Sequence, residues 1–253
     1  MKLVSKVLSI ILVVLSGTAN AGLINSITTS LTEQGGITTT TDRYGNANSA
    51  YLFDGEDDYL SITPDLTIND FSIALDFYID ETANRWERLF DFGNGGRGGD
   101  LFLTVKGGRT RGNYELTIHA KNNHAKVVNP GVKAQVNSWH HAAFTFNKGG
   151  DGMNFYLDGE LKGTNAYNAE SVNDWGGSQN WYFGKSNWND SIFKGKMGGI
   201  TVTNAVLTSE QVRGLASGNS LALVTTEVPE PSTLAIFALV IMGLATRRFK
   251  RNS

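Results

Sequence analysis

The strongest constraint on this 253-residue chain is a two-residue hydrophobic period. Phe71, Ile73, Leu75, Phe77 and Ile79 alternate with Ser72, Ala74, Asp76 and Tyr78. Side chains of an extended strand alternate between its two faces, so this run predicts a half-buried strand. Leu101–Val105, Tyr114–Ala120, His141–Phe146, Met153–Leu157 and Ile200–Thr203 read the same way. Glycine- or Asx-rich breaks separate them: residues 93–100, Gly107-Gly108, 149–152, Asp158-Gly159 and Gly176-Gly177. The chain holds 29 glycines against 4 prolines, which suits tight turns between short strands. Such spacing predicts an all-β sandwich or jelly roll. One helix is expected near the end, capped by Thr208 with Gln211 completing a capping box, and running to about Ala216. Residues 22–40, rich in Thr and Ser around Gly35-Gly36, read as loop with one edge strand.

Composition removes several chemistries. There is no cysteine, which excludes disulfide scaffolds, thiolate zinc sites, iron–sulfur clusters and cysteine nucleophiles. The formal net charge of −2 hides an uneven distribution. Lys2 and Lys6 sit at one end, and Arg247, Arg248, Lys250 and Arg251 at the other. The body between them carries about seven net negative charges, which argues against nucleic acid as a partner.

The two ends read as addresses. Residues 1–21 have a basic start, an apolar stretch Val7–Leu15 and the small-residue site Ala19-Asn20-Ala21, the pattern of a secretory signal peptide. At the other end, Leu234–Ala245 is an uncharged apolar run followed at once by the basic cluster. That run is short for a membrane span of about 20 residues, and the positive-inside bias keeps its basic tail cytoplasmic. The expected organisation is a signal peptide at 1–21, a β domain at 22–216, a linker at 217–228 and a sorting and membrane segment at 229–253.

Pro229-Glu230-Pro231, the apolar run and the basic tail together resemble the PEP-CTERM sorting signal. That resemblance implies recognition by exosortase, transient residence in the inner membrane, and release to the envelope or matrix of an exopolysaccharide-producing Gram-negative bacterium. The body resembles bacterial laminin G-like, concanavalin A-like jelly rolls. The motifs are Phe53-Asp54-Gly55 with Asp58-Tyr59-Leu60, then Trp139-His140 and Thr145 with Tyr156-Leu157-Asp158-Gly159, then residues 193–216. The resemblance implies a two-sheet antiparallel sandwich with one short C-terminal helix. The last motif departs from the family: Met197-Gly198-Gly199 stands where Ile-Asp-Glu is usual, which removes two acids expected near a calcium site.

Calcium takes six to eight oxygen ligands. Asp54 and Asp58, in a turn that also holds Glu56 and Asp57, are the candidate ligands. Sugar binding on such folds uses aromatic faces beside amides. Trp175 and Trp188, with Asn180 and Asn189, supply that combination in loop-like contexts. Trp139 and Trp181 are expected in the core. Catalysis is not expected. No Gly-x-Ser-x-Gly elbow is present, and Ser61 stands where the glucanase pattern begun by Glu56-Asp57-Asp58 needs a second Glu. Gly93–Gly98 formally matches G-x-G-x-x-G, but a strand pattern follows where dinucleotide binding needs a helix. The expected role is non-catalytic carbohydrate binding, or structural presence in the extracellular matrix. Alternatives are a glucanase or lyase on the same fold, and a protein-binding adhesion module.

Overall fold

A computed structural model describes residues 31–63, 69–95, 99–106, 114–119, 125–128, 131–170, 174 and 179–219. Residues 1–21, Trp175 and the segment 229–253 lie outside the described residues. Fourteen strands are described: β1 Leu31–Gln34, β2 Thr38–Thr40, β3 Ala50–Asp54, β4 Tyr59–Ile62, β5 Phe71–Ile79, β6 Arg88–Gly93 and β7 Asp100–Thr104, then β8 Glu115–His119, β9 Ala125–Val128, β10 Trp139–Asn147, β11 Gly152–Leu157, β12 Glu160–Asn165, β13 Asn180–Phe183 and β14 Lys194–Thr203. One helix, α1, spans Ser209–Ala216.

The strands form two antiparallel sheets of seven. Sheet A runs β1-β4-β13-β6-β7-β8-β9, and sheet B runs β12-β11-β10-β5-β14-β3-β2. Half of the neighbouring pairs join strands that are not consecutive in sequence, as in a jelly roll. The core between them holds the inward residues of both: Phe71, Ile73, Leu75 and Phe77 from β5 against Phe90, Phe92, Leu101 and Trp181 from sheet A. Trp181 is 1 % exposed, as expected of a core residue.

Three expectations are corrected. The segment before Thr40 forms two edge strands, one on each sheet, turned by Gly35-Gly36 at φ 81° and 88°. A β-carbon at Gly35 would run into the backbone of Asp57, so this turn demands glycine. Strand β5 is buried on both faces except at Tyr78. Its second face is covered because α1 and the preceding turn pack there: Leu207 and Val212 cluster with Ala74, Ala143 and Tyr156. Ser72 Oγ donates to Ala205 O at 2.8 Å and accepts from Leu207 N at 2.9 Å, fastening that turn. Trp139 faces outward. It shares parity with His141, whereas Phe144 and Phe146 point into the core.

The helix forms as its residues dictate. Thr208 Oγ1 accepts from Gln211 N at 3.2 Å, and the Gln211 side chain accepts from Thr208 N at 2.8 Å. This reciprocal pair satisfies two otherwise orphaned amide donors.

Candidate functional site

The turn between β3 and β4 gathers the acids predicted from sequence. Asp54, Asp57 and Asp58 each offer a carboxylate oxygen, all within 4.8 Å of one another. Asp54 Oδ1 accepts from Glu56 N at 2.8 Å, which closes the turn, and Gly55 takes φ 83°. Asp58 is 5 % exposed. Its Oδ2 accepts from Asp54 N at 3.1 Å, while its buried Oδ1 has no hydrogen-bond partner. Burial raises the Asp58 carboxyl pKa, with the Asp54 amide opposing and the Asp54 and Asp57 charges adding to the rise. A hard divalent cation would satisfy the orphaned oxygen and offset most of the charge of the three carboxylates, so the donor set fits calcium. The departure at Met197-Gly198-Gly199 falls elsewhere. Gly198 pairs with Ala50 at the start of β3, four residues from Asp54. Gly199, at φ 55°, abuts the Asp76 carboxylate.

The outer face of sheet A carries the amides and aromatics. Phe90, Phe92, Trp181 and Phe183 point inward, so Asp91, Asn180 and Tyr182 point out. Tyr182 meets Tyr59 of β4 edge-to-face, with ring centroids 5.3 Å apart. Lys185 Nζ lies 4.0 Å from the Tyr59 ring centroid and 5.2 Å from that of Tyr182. The exposed Asn180 donates to Asn187 Oδ1 at 3.2 Å, and Asn189 is also exposed. Trp188 differs from its expected exposure. It is half-buried, with a shielded indole nitrogen that lowers the pKa of the Asp100 carboxyl. Tyr182 and Lys185 fall in the aromatic stretch from Trp175 to Asp190, but neither they nor Tyr59 is singled out as a ligand by the sequence alone. The signal was available for Tyr182, which alternates with Trp181 and Phe183.

The carboxylates on this face hold loops. Asp91 is fully buried. It accepts from Arg88 Nε at 3.2 Å, Ser186 Oγ at 3.3 Å, Asn187 N at 3.1 Å and Asn187 Nδ2 at 3.0 Å. Asp190 reaches the other side of Arg88 at 2.7 Å. This network pins residues 184–190 across sheet A. Asp100, also fully buried, accepts from Asn94 N and Gly95 N at 3.1 Å each. Burial, then the Asp91 charge, push its carboxyl pKa up to about 7.

The outer face of sheet B is covered at one end only. Beyond the α1 contact, Arg43 of the β2–β3 connection pairs with Asp76 at 3.2 Å. Burial lifts the Asp76 carboxyl pKa to about 6 against the pull of Arg43. His141, beside Asp76 in register, is 2 % exposed, and burial depresses its imidazole pKa to about 4. Ser138 Oγ lies 2.9 Å from His140 Nε2, and His140 Nδ1 lies 2.7 Å from Asp158 Oδ2. Asp158 Oδ1 also accepts from His141 N at 2.9 Å, so this carboxylate bonds two successive residues of β10.

A two-sheet antiparallel sandwich with an aromatic and amide outer face defines a lectin-like jelly roll. Residues 54–213, more than half of the chain, match the family described as the concanavalin A-like lectin/glucanases superfamily, and the chain belongs to that family. Residues 227–251 match the PEP-CTERM protein-sorting motif, which marks an exported, exosortase-processed protein. No curated protein matches the chain. Among solved structures, one similar fold is domain 4 of AbnA, a GH43 extracellular arabinanase of Geobacillus stearothermophilus, in complex with arabinotriose. It is 23 % identical with a TM-score of 0.59, covering 74 % of this chain and 87 % of that one. Another is the receptor-binding domain of botulinum neurotoxin mosaic serotype C/D, 16 % identical with a TM-score of 0.55, covering 75 % and 46 %. No helix among the described residues is long and apolar enough to cross a membrane.

Proposed function

We propose that this exported protein is a non-catalytic carbohydrate-binding module of the extracellular polysaccharide matrix. The carrying observation is the outer face of sheet A, where half-exposed Tyr59 and Tyr182 pack together, the exposed Asn180 shares the face of β13 with Tyr182, and Asn189 is exposed in the loop that follows. Aromatic rings cover the apolar side of a sugar, and amides satisfy its hydroxyls at little desolvation cost. Hydrolysis of a glycosidic bond takes two carboxyl groups flanking it. Of the acids on this face, Asp91 and Asp100 are fully buried and occupied in holding loops, and Asp190 is paired with Arg88 at 2.7 Å. The arabinotriose complex of the similar AbnA domain adds support at the level of fold. Asn180 stays in the proposed sugar site with Asn189. Trp188 supports the loop from beneath, and Trp175 lies outside the described residues. Calcium at Asp54 and Asp58 is proposed as a structural ion that locks the β3–β4 turn. Exosortase acts on Pro229-Glu230-Pro231, and the tail behind it holds the precursor at the inner membrane until processing.

Ser138, His140 and Asp158 have the hydrogen-bond order of a hydrolase triad. We assign them a structural role, because Asp158 also bonds the His141 backbone and ties β10 to the β11–β12 turn. A glycan survey of the exported protein, with and without calcium, tests the reading. Binding lost in Tyr182→Ala is expected. Hydrolysis of any bound glycan, or labelling of Ser138 by a fluorophosphonate, would replace the module with an enzyme.

A further inference from the structure

The outer face of sheet B repeats the chemistry of sheet A. One cross-strand row runs Thr38, Leu52, Lys196, Tyr78 and Trp139, each opposite the next in register. Tyr78 and Trp139 meet edge-to-face at 5.9 Å, and Lys196 Nζ lies 4.9 Å from the Tyr78 ring centroid. The Tyr78 hydroxyl reaches Asn137 Oδ1 at 3.5 Å. Leu52 is 40 % exposed, and Tyr78, Trp139 and Lys196 are half-buried. Further along β5 this face is covered: α1 lies over Ala74 and Arg43 over Asp76. The open row borders a cleft of about 500 Å³, which Lys194 and the acidic turn also line.

The lysines choose the ligand. The body carries a net negative charge, yet among the described residues Lys185, Lys194 and Lys196 make no ion pair within 4.0 Å. Each face therefore offers an edge-to-face aromatic pair with an uncommitted ammonium over it. An aromatic ring receives the C–H face of a pyranose, and the ammonium receives an anionic substituent on the same ring. Asp54 and Asp80 border the far end of the cleft, one row further along β14 from Lys196. Lys194 belongs to that row, directly opposite Asp54.

We propose that the domain carries two platforms for a carboxylated polysaccharide, Tyr59–Tyr182–Lys185 on sheet A and Tyr78–Trp139–Lys196 on sheet B. Packed sheets lie about 10 Å apart, so two platforms on opposite outer faces cannot share one saccharide. One molecule then bridges two glycan chains, and repeated bridging turns weak sites into a durable network. This proposal rests on the glycan-binding reading of sheet A and extends it to a second site and a ligand class.

The test titrates a short oligogalacturonate into the exported protein, obtained from cells expressing the full chain, in calcium-free buffer. Two equivalents per molecule are expected. Lys185→Glu and Lys196→Glu should each remove one, lowering affinity at the altered site about tenfold or more. Polygalacturonate should be sedimented as a cross-linked complex by the native protein and bound without cross-linking by either variant. Melting temperatures verify that each variant folds, and Lys→Gln replaces any reversal that does not. One equivalent for the native protein, or unchanged cross-linking in the Lys196 variant, overturns the second platform and leaves sheet A standing. Equal affinity for a neutral galacto-oligosaccharide, or no binding of oligogalacturonate, overturns the ligand class, while the broader glycan survey decides the first reading independently.

Discussion

Trp181 lies flat on Phe92, with ring centroids 4.4 Å apart and planes 6° from parallel. The two are direct cross-strand partners on β13 and β6, so the stack forms inside the sandwich as a consequence of register. It anchors the strand whose other face presents Asn180 and Tyr182.

Trp181→Ala should cost about 3–5 kcal/mol, because it empties a fully packed site and removes the Phe92 stack. Trp188→Ala should cost less, about 1–2 kcal/mol, since that ring is only half-buried and gives up chiefly its contact with Asp100. Urea unfolding of both variants checks the order. A larger loss for Trp188 would show that the 184–190 loop, rather than the sheet, limits stability.

Calcium should raise the melting temperature through the β3–β4 turn. An ion bound only to the native state adds about 2.7 kcal/mol at a hundredfold excess over Kd. Asp58→Asn should abolish the increase. Without calcium, the same substitution should be neutral or stabilising, because it removes a buried carboxylate whose Oδ1 is orphaned. Calorimetry with chelator and with calcium separates the two effects. No shift for the native protein would remove the metal from the turn.

Asp100 should make the fold less stable as pH rises. Its folded pKa, about 7, lies above the unfolded value of 3.8. Between these values the folded state holds a proton that the unfolded state has released. The associated stability is present below about pH 4 and is lost as pH climbs through about 7. Asp76, raised to about 6, acts with the same sign. His141 acts oppositely: its depressed pKa of about 4 gives stability present above 6.5 and lost as pH falls through 4. Asp100→Asn should therefore gain on the native protein between about pH 5 and pH 8. Denaturation midpoints across that range check the slope, and parallel curves would refute it.

Mass spectrometry of the released protein should find no peptide from Leu234 to Ser253, on the proposed exosortase cleavage near Pro229-Glu230-Pro231 within the matched sorting motif. Recovery of that peptide from released protein would mean that export proceeds without removing the tail.

Much of the fold was legible because its signals are local. The alternation in Phe71–Ile79, the Thr208–Gln211 capping box and the core place of Trp181 depend on neighbours within a few residues. Three carboxylates within five residues likewise had to meet wherever Asp54 and Gly55 made a turn. Period-two alternation names two faces, however, and leaves open what covers the second. The same parity that puts Phe144 inward puts Trp139 outward, where long-range packing decides between burial and exposure. That packing brought α1 over Ala74 and Arg43 over Asp76, yet left Tyr78 and Trp139 open beside Lys196. It also turned Trp188 down onto Asp100 and left Tyr59 and Tyr182 on the surface, because β4 and β13, some 120 residues apart in sequence, are hydrogen-bonded neighbours. Local sequence determined the alternating core strands, the cap and the acidic turn. Only the pairing of distant strands decided which aromatics stand in solvent.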